Sequence, residues 1–295
     1  MTATLPTSTL SERAMLVKRT IRQWAAKKED KKITQEVATA HNAAVDSGKY
    51  NKSLLPKDAL KPVQQAANAM RTEHYRLTLP WSDEGFRILS SAGYLAYTAT
   101  MRQLEADFQS AVLDFQASYQ NHIDDARARM NGLFNQADYP SVSEMAGLFG
   151  TDSAIRPLPD SGDFRAQLGI ADVALIRQAI TAEMDRNMQA AMGDIWQRMR
   201  SVVEAMAQKL SAYSVTADGK VEGVFRDSLV SNISDLCDIV PSLNITNDPN
   251  ISAFADTIRA SLGQATPEEL RDNDALRAGV AQQAYDILSK MDAFI

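Results

Sequence analysis

The chain has 295 residues, a formal net charge of −6, 45% hydrophobic and 23% charged residues, an ordinary balance for a soluble globular protein. Glycine and proline together make up about 8%, below the usual total of about 12%, which argues against a collagenous, low-complexity or turn-rich all-β chain. No run reaches the roughly 18 apolar residues that span a bilayer, and no apolar segment with a small-residue cleavage site opens the chain, so neither a membrane span nor a secretory signal is expected.

Residues 1–10 read as a loose leader, and 14–25 as ambiguous between helix and strand, because Val17, Thr20, Ile21 and Trp24 fit either period. Helical spacing then joins Ile33, Val37, Ala40, His41 and Ala44, and a second helix is predicted from Asp58 to Tyr75. Pro80 and Gly85 break the pattern around Trp81. Two long segments follow. From Met101, the residues Leu104, Phe108, Ala111, Phe115, Ser118, His122, Ala126, Arg129 and Leu133 recur near the helical period of about 3.6 residues, with Arg129 an imperfection. So do Val173, Ile176, Ile180, Met184, Met188, Ala191, Ile195, Met199, Val202, Met206, Leu210 and Tyr213. Helices over 94–134 and 171–213 would run roughly 60 and 65 Å, and rods of that length need a partner along them. Between them, Ser141 and Glu144 form a capping-box pattern for a short helix to Phe149, and 154–164 reads as extended, with room for a small two-stranded element. Further on, one stripe joins Phe225, Leu229, Ile233, Leu236 and Val240 and is expected to stop at Pro241. Ile251, Phe254, Ile258 and Leu262 form another. Thr266, Pro267 and Glu269 open the last helix, with Leu276, Val280, Ile287 and Met291 inward.

The expected fold is therefore all-α in the main, a long antiparallel helical hairpin over 91–215 with coiled-coil character. A basic N-terminal helical region over 1–90 and a C-terminal helical cluster over 216–295 flank it. The charge is uneven: residues 1–76 carry 14 Lys/Arg against 7 Asp/Glu, a net of +7, and the rest of the chain carries −13. Lys27, Lys28, Lys31, Lys32, Lys49 and Lys52, with Trp24 and Trp81, are the candidate partner or nucleic-acid contacts. Lysines gain affinity by releasing counterions from phosphates, and tryptophans serve as binding anchors. Interruption by Glu29 and Asp30 makes the cluster weaker than a committed DNA-binding patch.

The single cysteine, Cys237, rules out an internal disulfide and multi-cysteine metal sites, fits a reducing compartment and reads as a space-filling helix residue. No phosphate loop, dinucleotide fingerprint, zinc helix or nucleophile elbow is present. His41, His74 and His122 lie in separate segments, and the Asp124/Asp125 and Asp160/Asp163 pairs lack accompanying ligands. No catalytic residue, metal or cofactor is assigned.

Several strings in order carry a resemblance. These are Trp24 with Lys27, Lys28, Asp30, Lys31 and Lys32; Asn51, Lys52, Leu54 and Leu55; and Thr78, Leu79, Pro80, Trp81, Asp83 and Gly85. Leu133, Phe134, Asn135, Asp138, Tyr139 and Pro140 follow, then Phe225 to Val230. Over roughly residues 15–250 the chain resembles a phage and prophage family of uncharacterised helical proteins, some encoded near a MoxR-type AAA+ ATPase and a protein with a von Willebrand A-like domain. The resemblance implies a non-enzymatic role in the cytoplasm of an infected cell. The leading expectation is an interaction or scaffold protein that forms a homo-oligomer or binds other proteins, an AAA+ ATPase among them. Alternatives are a nucleic-acid-binding protein of phage replication or recombination, an inhibitor of a host defence system, and a virion component. An enzyme without a recognisable motif ranks last.

Overall fold

A computed structural model describes residues 7–81, 84–145, 147–159, 170–216, 218 and 220–294. In chain order, α1 (Thr7–Arg13) leads into β1 (Ala14–Arg22) and β2 (Lys27–Glu29), then α2 (Lys31–Ala40), β3 (Asn51–Ser53) and α3 (Lys61–Arg76). Next come β4 (Leu79–Pro80), β5 (Arg87–Ser90), α4 (Tyr94–Met130), α5 (Val142–Met145), β6 (Gly150–Pro157) and α6 (Ile170–Ala212). The chain ends with β7 (Ser214–Val215), β8 (Val221–Glu222), α7 (Ser228–Leu243), α8 (Pro249–Leu262), α9 (Pro267–Asp272) and α10 (Asp274–Met291). The protein is thus mainly helical, as expected, but not purely so. A four-stranded sheet has the order β4-β5-β1-β6, and β2–β3 and β7–β8 form two-stranded sheets.

The described residues divide into two compact units, each assembled from separated stretches of chain. The first falls within 1–18, 75–97 and 154–295, the second within 19–74 and 98–153. In the first unit, α6 packs on α10, α7 and α8 around Ile195, Met199, Met206, Leu210, Ile233 and Ile258. Strands β1 and β5 pair antiparallel with Ala14 opposite Ser90 and Val17 opposite Arg87, and Leu79 of β4 lies opposite Ile88. Leu16, Leu79 and Ile88 of these strands join the same core. Trp81 is half-buried against it.

Arg198 of α6 fixes the chain just before the sheet. Its guanidinium donates to the carbonyls of Arg76 at 2.8 Å, Tyr75 at 3.1 Å and Thr78 at 2.9 Å, and it pairs with Asp194 at 2.6 Å. A planar fork of five N–H donors suits such a cluster of end-of-helix carbonyls.

The second unit is built on α4 from Thr98 onward and on α3 up to His74. Val63, Ala67, Met70 and His74 of α3 are buried. On α4 from Thr98 onward the buried residues are Met101, Phe108, Phe115, Tyr119, Ile123 and Ala126. The inner line therefore shifts by one position after Phe115, to Tyr119 and Ile123 in place of Ser118 and His122. An aromatic cluster accounts for the shift: Phe115 lies 5.7 Å from Tyr119 and 5.8 Å from both Phe149 and His122, centroid to centroid. His122 stacks on Phe115 from the side and sits 3.2 Å from the Ser118 hydroxyl.

Several expectations need correction. Residues 7–13 are helical rather than loose, and 14–22 is strand, because β1 pairs with β5 through its backbone. The basic N-terminal region is consequently not purely helical. The extended stretch near 154 belongs to β6 of the four-stranded sheet rather than to a two-stranded element. The short helix after Ser141 ends at Met145, although Ser141 and Glu144 do form the reciprocal capping bonds. Pro241 does not stop α7, which runs to Leu243. It removes one bond in the final turn, where burial of Val240 and Leu243 still holds the backbone in place. The last helix is split in two, because Asn273 accepts from the Leu276 N–H and starts α10 anew. Both long helices form nearly where predicted; α6 lies in the first unit and α4 from Thr98 onward in the second. The partners that line α6 within its own unit are α10, α7 and α8.

Ile233 is fully buried at the centre of the first unit's core. Ile233→Ala is expected to lower stability by about 3 kcal/mol through lost burial and the cavity left behind, read as a lower urea midpoint at unchanged slope.

Candidate functional site

The basic cluster belongs to the second unit, and its geometry follows from the β2–β3 pair. Lys27 lies opposite Ser53, Lys28 opposite Lys52 and Glu29 opposite Asn51. Antiparallel neighbours place Lys28 and Lys52 side by side, where like charges repel unless carboxylates come between them. Lys52 is only 7% exposed and Asp138 6%. The Lys52 Nζ lies 2.6 Å from Asp138 Oδ2, 3.0 Å from Asp30 Oδ2 and 3.3 Å from the Leu133 carbonyl. An ammonium has three donors, and three oxygens surround this one. Lys28 reaches the other oxygen of Asp138 at 3.0 Å. Asp30 also caps α2, accepting from the Lys32 and Ile33 N–H groups at 3.2 Å.

Supporting contacts fix the same corner. Tyr139 donates to the Leu54 carbonyl at 2.7 Å and stacks on Phe134, and Tyr119 donates to the Pro140 carbonyl at 3.0 Å. Three strings that read as separate in the sequence, around Lys28, Lys52 and Asp138, meet in this single network.

Protonation follows from the contacts. The Asp30 carboxyl is held below its ordinary value chiefly by the Lys52 ammonium and then by the Ile33 N–H. For Asp138 burial pushes upward, but Lys52 and Lys28 outweigh it and the carboxyl ends low. Lys52 is raised, first by Asp138 against the opposing effect of burial, then by Asp30. Burial pushes the Tyr119 phenol up to about 12. At neutral pH the network is therefore fully charged and the phenol neutral.

The remaining lysines divide further. Lys49 lies 3.5 Å from Glu29 and Lys32 3.9 Å from Glu36, all on the surface. Lys27 and Lys31 are exposed and have no ion-pair partner among the described residues. Trp24 is half-buried with its ring 6.1 Å from Tyr119 and 6.5 Å from Phe115. Trp81 belongs to the first unit.

The titratable groups elsewhere are dispersed. Among the described residues no three His, Cys, Asp or Glu side chains come together as a metal site. The Asp160/Asp163 pair lies outside the described residues, as does Asp83 beside Trp81. Cys237 is buried, and burial raises its thiol above the ordinary range while its S–H faces the Ala255 carbonyl at 3.4 Å. No helix among the described residues is long and apolar enough to cross a membrane. Open grooves occur among the described residues, two of them as follows. One, of about 240 Å³ in the first unit, is lined by Tyr213, Arg277 and Tyr285. Arg277 there is already occupied by the Leu270 carbonyl at 3.0 Å and Asp274 at 2.6 Å. The other, of about 320 Å³ in the second unit, lies between α2 and the segment that returns to β3.

No family profile, curated protein or solved structure matches the chain.

Two outcomes follow from the network. Lys52→Met leaves two carboxylates facing each other without their shared cation and is expected to cost about 3 kcal/mol, seen as a lower denaturation midpoint. Because Asp30 and Asp138 titrate below their unfolded value of 3.8, their stabilising contribution is complete above that pH and is lost as pH falls through the lower folded values. Urea midpoints measured from about pH 5 to about pH 2 should fall less steeply in Asp138→Asn than in the unaltered protein.

Proposed function

We propose that this chain is a non-enzymatic interaction protein that assembles with a second copy of itself and, in the phage setting implied by the resemblance, presents itself to other proteins such as an AAA+ ATPase. The observation that carries this reading is the first third of α6. Every buried residue of that helix lies between Met184 and Leu210. From 170 to 183 none is buried, yet Ile170 and Leu175 are exposed and Val173, Ile176 and Ile180 are half-exposed. A helical stretch rich in uncovered apolar side chains marks an association surface more readily than a solvated face.

Charge favours a second copy as the first occupant. Residues 170–186 carry Asp172, Glu183 and Asp185 against Arg177 and Arg186, so both signs are interspersed, the net is only −1, and a like segment can set arginines against carboxylates. The nucleic-acid reading has less support. Lys28, Lys32, Lys49 and Lys52 already face carboxylates, and Trp24 is packed among aromatic rings. A phosphate backbone would have to compete with those pairs.

Light scattering behind size-exclusion chromatography should give a dimer or larger species. Ile176→Glu should shift it to monomer with its helical circular dichroism unchanged. A monomeric unaltered protein overturns the self-assembly reading.

A further inference from the structure

We propose that residues 292–294, which follow α10, form a detachable strap over the rings of Trp196 and Phe254, latched by one solvent-open ion pair. All the parts belong to the first unit. Trp196 of α6 and Phe254 of α8 lie edge to face, with ring centres 5.2 Å apart and planes at 76°. Phe294 completes the group. Its ring stacks on Trp196 at 5.2 Å and 16°, and meets Phe254 edge-on at 5.3 Å and 71°. Each ring thus touches the other two, in geometries that the ring quadrupoles favour. Trp196 is left only 7% exposed.

The strap has little else to hold it. Met291, the last residue of α10, is fully buried and anchors the helix. Beyond it the backbone bonds are local. The Asp292 N–H meets the Leu288 carbonyl at 3.2 Å, and the Phe294 N–H meets the Met291 carbonyl at 2.9 Å. Two side chains reach across to other helices. The Phe294 ring does so while 45% exposed. The Asp292 carboxylate accepts from the Arg200 guanidinium of α6 at 2.5 Å, with Asp292 62% and Arg200 31% exposed. Water and salt reach such a pair, and it contributes little. One ring and one exposed ion pair favour the closed strap over the open one by only about tenfold. Ile195 and Met199, on either side of Trp196 in the sequence of α6, are fully buried in the core, so opening is local and leaves the helices in place.

Opening has a defined consequence. Trp196 and Arg200 are four residues apart on α6 and therefore share a face. With the strap away, that face presents an indole, the Phe254 ring and an unpaired guanidinium. Tryptophan and arginine are the side chains most enriched among binding anchors. The strap therefore controls access to a surface that the closed form hides. It lies outside residues 170–183 of α6 and stands or falls apart from self-assembly.

The test labels the full chain with fluorotryptophan and follows the Trp196 resonance by fluorine NMR, assigned through Trp196→Phe. Phe294→Ala gives the position of the open strap. Raising salt from about 0.02 M to about 1 M should move the unaltered protein toward that position, the open fraction growing about threefold as the ion pair is screened. Asp292→Asn should shift the resonance the same way at low salt and remove most of the salt dependence. A resonance indifferent to salt and to Asp292→Asn overturns the proposal, as does full salt dependence retained in Asp292→Asn. So does a Phe294→Ala variant whose Trp196 resonance stays where it was, or one destabilised as strongly as Ile233→Ala, because a detachable strap is not part of the core.

Discussion

A buried ammonium cannot be left alone. Lys52 sits where water barely reaches, and removing an unpaired cation from water would cost more than a small unit could offset. The structure meets that constraint by bringing Asp30 from the start of α2, Asp138 from the turn after α4 and the Leu133 carbonyl to one point. Each of these also has a second task. Asp30 caps α2, and Asp138 answers Lys28 on the neighbouring strand. One charge therefore fixes the relative positions of three stretches that are separate in the sequence, around residues 28–30, 52 and 133–138. Trp24, Phe115 and Tyr119 pack on one another in the same unit, and Tyr139 bonds the Leu54 carbonyl two residues from Lys52.

The functional consequence lies in what that network takes away from the surface. A stretch of chain with a net charge of +7 looks like an electrostatic footprint when read as a string. In the folded unit most of its lysines answer a nearby carboxylate, and the field available to an external polyanion shrinks accordingly. The proposed self-assembly rests instead on the uncovered apolar run of α6.

The first unit shows a different economy of forces. Its core is almost entirely aliphatic and methionine side chains of α6, α7, α8 and α10, closed by a few strand residues. A concentrated polar device, Arg198 with the carbonyls of Tyr75, Arg76 and Thr78, satisfies groups that the end of a helix leaves open. Met184 is buried, and from Met188 onward the methionines of α6 pack in or against this core.

Residue spacing by itself determined where the helices lie. The bounds of α4 and α6, the capping boxes at Ser141 and Thr266 and the stripes of α7 and α8 all depend on neighbours within a few residues, which is the range over which helical periodicity and capping act. The strands escaped the same reading because β1 is set by a partner more than 70 residues away, and Pro241 was misread because core burial outweighs one missing bond. For the candidate site, residue types were legible and roles were not. Lys28 and Lys52 could be named from charge alone, but nothing in their spacing points to Asp138, and Val37, Val45 and Tyr50 form a gap only once the chain doubles back at Asn42. Which lysine is neutralised and which stays free is decided by through-space distance, a quantity that only the tertiary structure supplies.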